Sequence, residues 1–197
     1  MPGKPRVDRH EREGHNVPVD PRYRDLTARV DAFVARVAER HPDDLRCAAG
    51  CDGCCRTRLT ITAVEAVAIE TWAATQPHTT TATIAAAARA ATDVTRCAAL
   101  DDAGRCRIYA ARPLVCRSHG VPIRLRDARG LPVVTSCELN FTARGPAAAD
   151  ADCVLDQELV STTLGLIDRA AADPAGTDRP RRALAEVLAG LAPAVTS

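Results

Sequence analysis

The stretch "CAAGCDGCC", residues 47–55, places Cys47, Cys51, Cys54 and Cys55 in nine positions, with the spacing C-x3-C-x2-C-C. Thiols this dense need something to hold them, and that need restricts the chain more than any helical pattern in it. A C-x2-C turn brings two sulfurs to one side of a tight loop, and a tetrahedral metal takes four such ligands. Cys51 and Cys54 form such a turn around Gly53. Adjacent cysteines such as Cys54 and Cys55 are expected to diverge, which predicts two neighbouring centres or one multinuclear centre.

Five more cysteines follow in the 197 residues: Cys97, Cys106, Cys116, Cys137 and Cys153. The N-terminus, "MPGKPRVDRHEREGH", is charged and lacks the apolar stretch of a signal peptide, so a cytoplasmic location is expected. In a reducing compartment, an odd and high cysteine count points to metal or redox chemistry rather than a disulfide framework. Cys97, Cys106, Cys116 and Cys137 are too spread to form a site from local turns. Folded against the first four, they supply eight thiolates, enough for two four-ligand sites or one cluster.

The rest of the chain agrees with this reading. Only five side chains are aromatic, Tyr23, Phe33, Trp72, Tyr109 and Phe141, and much of the apolar content is alanine, which buries little area per residue. Such a core leaves room for metal as a stabiliser. A net charge of +1 argues against nucleic acid as a partner. No apolar run approaches the roughly 18 residues of a membrane span.

The pattern predicts a mainly α fold: a small helical domain with a short β-hairpin, organised around a cysteine-rich metal centre. Residues 1–19 read as a disordered arm, and 20–197 as a single domain. The first helix opens at Asp20-Pro21, carries Leu26, Val30, Phe33, Val34 and Val37 on one face, and stops at His41-Pro42. Thr62 and Glu65 form a capping box for a second helix with a Val64, Val67, Ala68, Thr71, Trp72 stripe. An alanine-rich third helix is expected over about 80–93. Residues 97–120 read as a loop, and 121–136 as a hairpin pairing Ile123 and Leu125 with Leu131 and Val133. Two helices close the chain: about 153–171 with Leu155, Leu159 and Leu166, and one from near Asp178 and Pro180 with Leu184, Val187, Leu188 and Leu191.

Rival readings of the thiols fit less well. A thioredoxin-type C-x2-C needs a βαβ setting, and helix follows here. The spacing C-x3-C-x2-C also occurs in radical enzymes that use S-adenosylmethionine, but those need a barrel of alternating strands and helices. Buried, inert cysteine suits Cys153 and does not suit the doublet.

"CAAGCDGCC" together with "CAALDDAGRCRIYAARPLVCR" resembles the CxxCxxCC cysteine-cluster family, also called YkgJ-like, described as a zinc- or iron-chelating domain. Cys106, Ile108, Tyr109, Arg112, Pro113, Cys116 and Arg117 match its second motif position by position, and Cys137 in "SCELNF" matches its last cysteine. The resemblance spans about 45–141 and leaves Cys153 outside. It implies a metal site and no particular reaction. Related domains occur in flagellin lysine methylases, where an iron–sulfur cluster is implied.

The expected metal ligands are therefore Cys47, Cys51, Cys54, Cys55, Cys97, Cys106, Cys116 and Cys137, holding zinc or an iron–sulfur cluster. Arg105, Arg107, Arg112 and Arg117 flank them, and positive charge or hydrogen bonds near sulfur tune a cluster. Arg112 and Arg117, fixed beside ligands by the motif, are the expected cofactor contacts. His119, in Cys116-x2-His119, has metal-compatible spacing but is not needed beside eight thiolates. His41, like His10, His15 and His78, is expected at the surface. The expected partners are metal ions, with no nucleic acid, no membrane and an unidentified protein partner. The expected role is structural, metal-handling or electron-carrying. The alternative is an iron–sulfur oxidoreductase or an accessory component of a protein-modifying enzyme, so whether the protein is an enzyme is left open.

Overall fold

Asp20 opens the first helix, α1 (Pro21–Arg40): its carboxylate accepts the Arg22 N–H at 2.8 Å, and Pro21 occupies the first turn. The computed structural model in which this is seen describes residues 18–93, 95–171 and 179–191. The arm read over 1–19 falls outside them apart from Pro18 and Val19, and Val19 packs against the core. α1 buries Tyr23, Val30, Phe33 and Val37 and ends where His41 N–H returns to the Val37 carbonyl.

After the cysteine stretch come β1 (Thr60–Ile61) and α2 (Ala63–Ala74). The capping box is present. Thr62 N–H and hydroxyl both donate to Glu65 Oε2, at 2.8 and 3.0 Å. Of the expected α2 stripe only Val64 is buried; Val67, Ala68, Thr71 and Trp72 are half-buried, and Ala66, Ile69 and Ala73 take the buried face. Ala66, Ile69 and Ala73 join one core cluster, while Val64 and Ala68 join another, because the helix is covered on two sides. α3 (His78–Ala90) ends three residues before the expected boundary.

The segment 97–120, expected as a loop, contains a helix, α4 (Leu114–Ser118), which carries Cys116. The hairpin is β2 (Ile123–Arg126) with β3 (Pro132–Thr135), antiparallel, pairing Leu125 with Val133. Leu131 is not in the strand. Its N–H goes to the Asp127 carboxylate and its carbonyl takes the Asp127 N–H, so it closes the turn and stays exposed. A third strand, β4 (Leu155–Asp156), adds in parallel beside β2.

α5 (Gln157–Ala170) is capped by the Asp156 carboxylate on Leu159 N–H. The buried face of α5 differs from the expected Leu155, Leu159, Leu166 stripe. The buried face carries Val160, Leu164 and Ile167, while Leu159 and Leu166 are 65% and 55% exposed. A helix needs several apolar positions at 3–4 spacing to define its face, and 160, 164 and 167 form the set that meets α1. β5 (Arg182–Ala183) pairs antiparallel with β1, which delays α6 (Leu184–Ala189) beyond the expected start. Leu184, Val187, Leu188 and Leu191 are buried as read.

The fold is mainly α. Three apolar clusters organise it among the described residues. The first joins α2, α3 and α6 around Ile69, Ile84 and Ile108. The second joins α1 and α5 around Tyr23, Val30 and Leu164. The third gathers Phe33, Val37, Val121, Phe141 and Cys153. Among the described residues, no helix is long and apolar enough to cross a membrane.

Candidate metal centre

The stretch 47–55 folds as two successive turns. Cys51 N–H reaches the Ala48 carbonyl at 3.0 Å, with Gly50 at φ +88°, and Cys55 N–H reaches the Asp52 carbonyl at 2.8 Å. The second turn is a single 3-10 turn, Gly53–Cys55. It brings the Cys54 and Cys55 sulfurs to 3.9 Å, so the doublet converges where divergence was expected. Cys47 and Cys54 are exposed, and Cys51 and Cys55 are half-buried.

The second group of cysteines is laid directly on the first. Cys97 N–H donates to the Cys55 carbonyl at 2.8 Å. Gly104 approaches the other turn so closely that a Cβ there would stand 3.0 Å from the Gly50 carbonyl oxygen. Between Cys97 and Cys106 the chain closes on itself. Leu100 and Cys106 form a β-bridge, Arg107 N–H reaches the Ala99 carbonyl at 2.8 Å, and the Asp101 carboxylate accepts Ala103 and Arg105 N–H. Burial raises the Cys97 and Cys106 thiols, and the backbone N–H groups of Ala99 and Ile108 offset part of that rise. Cys97 and Cys106 rest against the first core cluster.

Cys116 is aimed by a buried carboxylate. Glu65 gives Oε2 to Thr62 and Oε1 to the Leu114 N–H at 3.0 Å, so one side chain caps α2 and fixes the start of α4. Burial, then the neighbouring Cys97, Cys106 and Cys54, pushes the Cys116 thiol up to about 12. Burial, then Cys54, Cys97 and Cys116, raises Cys55 as well. These thiols crowd one another, and an ionised group among them disfavours ionisation of the next. A bound cation removes that penalty.

Asn140 organises the remaining edge and was not identified from the sequence. It is 3% exposed. Its amide nitrogen stands 3.2 Å from Cys47 Sγ and 2.7 Å from the Gly120 carbonyl oxygen, and its Oδ1 accepts Arg46 N–H at 2.8 Å. Its own N–H closes a turn onto the Cys137 carbonyl at 2.9 Å, which brings the Cys137 turn to Cys47. The signal was present in "SCELNF": an amide side chain three residues after a cysteine, inside a loop that must be buried.

The arginines are engaged as follows. Arg117 donates Nε to the Arg112 carbonyl, Nη1 to Asp31 Oδ2 at 2.5 Å and Nη2 to the Ala110 carbonyl. All three of its nitrogens thus meet oxygens, and they clamp α4 to α1. Arg112 lies 4.0 Å over the Tyr109 ring and 3.6 Å from Asp31 Oδ1, and its charge still favours the Cys106 thiolate. Arg105 pairs with Asp101 at 2.9 Å, and Arg107 Nε is buried without a hydrogen bond among the described residues. His119 is exposed. His41, expected at the surface, is buried at 4% exposure because Arg144 and Phe141 close over its ring. Cys153 is fully buried in the third cluster, apart from the other eight.

The donor set fits a soft or borderline metal, since thiolates serve both zinc and iron–sulfur clusters. No three of the eight sulfurs lie within 4.8 Å of one another, so coordination requires the turns to draw inward. No curated protein and no solved structure matches the chain. The segment that carries all eight thiols, residues 46–138, matches the CxxCxxCC family model, described as a "Putative zinc- or iron-chelating domain".

Proposed function

We propose that Cys47, Cys51, Cys54, Cys55, Cys97, Cys106, Cys116 and Cys137 chelate zinc or an iron–sulfur cluster, in two adjacent four-thiolate centres. Cys55, Cys97, Cys106 and Cys116 make one. Cys47, Cys51, Cys54 and Cys137 make the other, beside Asn140. The observation that supports this most is the Cys97 N–H to Cys55 carbonyl bond, which lays the second cysteine group on the first. The partition follows Asn140, whose contacts join Cys47 to the Cys137 turn.

The exposure of Cys47 and Cys54 favours a centre open to exchange or electron transfer over a closed structural one. A structural zinc site has every position filled by protein and is shielded. Metal handling or electron carriage is therefore the preferred role. Anaerobic purification, metal analysis and visible absorption test the reading. Eight thiolates in two zinc sites give two equivalents of zinc and no visible band. Iron with matching inorganic sulfide and a charge-transfer band indicates a cluster. A purified, reduced chain that takes up neither metal overturns the proposal.

A further inference from the structure

A second set of metal-type donors lies away from the eight thiols. A ring nitrogen of His41, a carboxylate oxygen of Asp150 and Sγ of Cys153 all fall within 4.8 Å of one another. They form the one such group among the described residues, and none of the three belongs to the matched segment 46–138. His41 and Cys153 are buried, while Asp150 is exposed and offers an entry path.

We propose that His41, Asp150 and Cys153 bind a zinc-class divalent ion, independently of the eight-thiol centre. Imidazole, carboxylate and thiolate are each zinc ligands, and three protein ligands with one open direction make an open site. Metal–ligand lengths of about 2.0–2.3 Å require only a small closing of the three groups.

The surroundings of the His41 ring suit this role. Nε2 faces Asp150, 3.7 Å from Oδ2 and 3.4 Å from the backbone N–H donor. Nδ1 faces the other way, toward Asp44 Oδ2 at 3.7 Å and Arg144 Nη2 at 2.8 Å. A ligating histidine directs its other N–H at a carboxylate, and Asp44 is placed to receive it. Arginine has no acceptor, so Nδ1 accepts from Arg144 in the metal-free ring. Binding at Nε2 moves the ring proton to Nδ1 and displaces Arg144 from the ring. Arg144 keeps Asp44, at 2.6 Å. The Cys153 thiol gives up its proton, so one proton leaves per ion bound.

Charge around the group is balanced. Arg36 and Arg40 from α1 pair with Asp150 and Asp152, and Arg144 pairs with Asp44. Arg40 engages Asp150 through Oδ2, and Oδ1 has no hydrogen bond among the described residues.

The test uses the full, reduced chain titrated with Zn²⁺, followed by native mass spectrometry and by the ¹⁵N resonances of the histidine rings. The wild type should take one equivalent more than Asp150→Asn, Cys153→Ser or His41→Asn, or hold that equivalent at least tenfold more tightly. Cys116→Ser should retain it. The His41 resonances should shift as it binds. Should the two buried variants fail to fold, Asp150→Asn and the wild-type resonances still decide. Unmoved His41 resonances, with equal zinc uptake by wild type and Asp150→Asn, overturn the proposal. The fate of the eight-thiol centre does not enter, because its variants are scored separately.

Discussion

Asn140 holds Cys47 by the sulfur: its amide nitrogen stands 3.2 Å from Sγ while its carbonyl oxygen takes the neighbouring Arg46 N–H at 2.8 Å. Groups that hydrogen-bond a ligand orient it and tune its affinity, commonly by a factor of about 10–100. Asn140→Ala is expected to weaken metal binding by that order at the Cys47 side. Asn140→Asp keeps the shape but faces a thiolate with a carboxylate, so it should weaken binding further at neutral pH. Competition with a chelator of known affinity measures both. Equal affinity for wild type and both variants would show that Asn140 serves packing alone.

Gly120 leaves no room for change. It sits at φ +100°, and an added Cβ would lie 2.8 Å from Cys47 Sγ. Gly120→Ala should cost about 1–3 kcal/mol in backbone strain and should displace the sulfur. Denaturant unfolding and metal stoichiometry together test it. A destabilised variant with its full metal complement would place the cost in the backbone and leave the sulfur where it is.

Glu65 is a buried carboxylate with three donors on it, from Thr62 and Leu114. Hydrogen bonds to a charged group contribute about 1.5–3 kcal/mol each before relaxation. Glu65→Gln should therefore destabilise the fold by at least that amount, and it should also loosen Cys116, because Leu114 begins the helix that carries it. The readout is the denaturant midpoint of the apo protein beside the metal affinity of the folded variant.

The apo protein should lose stability in alkali. The Cys116 thiol titrates near 12 in the fold against an ordinary value of 9.0. The folded chain then holds this proton more tightly than the unfolded one. Its contribution is complete below pH 9 and disappears as pH rises from 9 toward 12. Cys97 and Cys106 are raised as well, chiefly by burial, and add in the same direction. Metal-bound thiolates have no proton to lose, so the loaded protein should be flat across this window. Denaturant midpoints of apo and loaded protein at stepped pH decide it. A flat apo profile would contradict the crowding of these thiols.

Arg117 and Asp31 are 2.5 Å apart and bridge α4 to α1. A double-mutant cycle with Arg117→Ala and Asp31→Ala should return a coupling of about 1 kcal/mol, since Asp31 is partly solvated. A reduction potential that moves in Arg117→Ala and not in Asp31→Ala would instead restore Arg117 as a direct neighbour of sulfur.

The sequence was legible where a feature is local. Asp20 before Pro21, and Thr62 with Glu65, mark helix starts through contacts two or three residues long, and both stand as read. Leu184, Val187, Leu188 and Leu191 read correctly because that helix is covered on one side. The α5 face was misassigned because Leu159 and Leu166 are as apolar as the residues that are buried, and only the position of α1 chooses between them. β4 and β5 are two-residue strands whose partners lie about thirty and more than a hundred residues away, so no periodicity announces them. At the candidate centre, cysteine spacing nominated eight thiols, and the fold lays the Cys97 segment on the Cys55 turn. Asn140 leaves only a local trace, its place three residues after Cys137, because its partners Cys47, Arg46 and Gly120 are distant in the chain, as is Asp31, the carboxylate that Arg117 meets.

The pairing of β1 with β5 bears on how far this centre can be separated from its chain. Ile61, Ile69, Ile84 and Ile108, all inside the matched segment, are covered by Leu184, Val187, Leu188 and Leu191, which lie beyond it. The Thr60–Ala183 and Ile61–Arg182 pairs hold that cover in place. A peptide cut to residues 46–138 keeps every thiol yet presents a naked isoleucine face to water. Such a fragment should aggregate or bind metal in mixed geometries, and adding residues 179–191 back in trans should not rescue it cheaply, because tethering supplies a local concentration that free peptide lacks. The metal module is thus portable only together with the distant segment that roofs it.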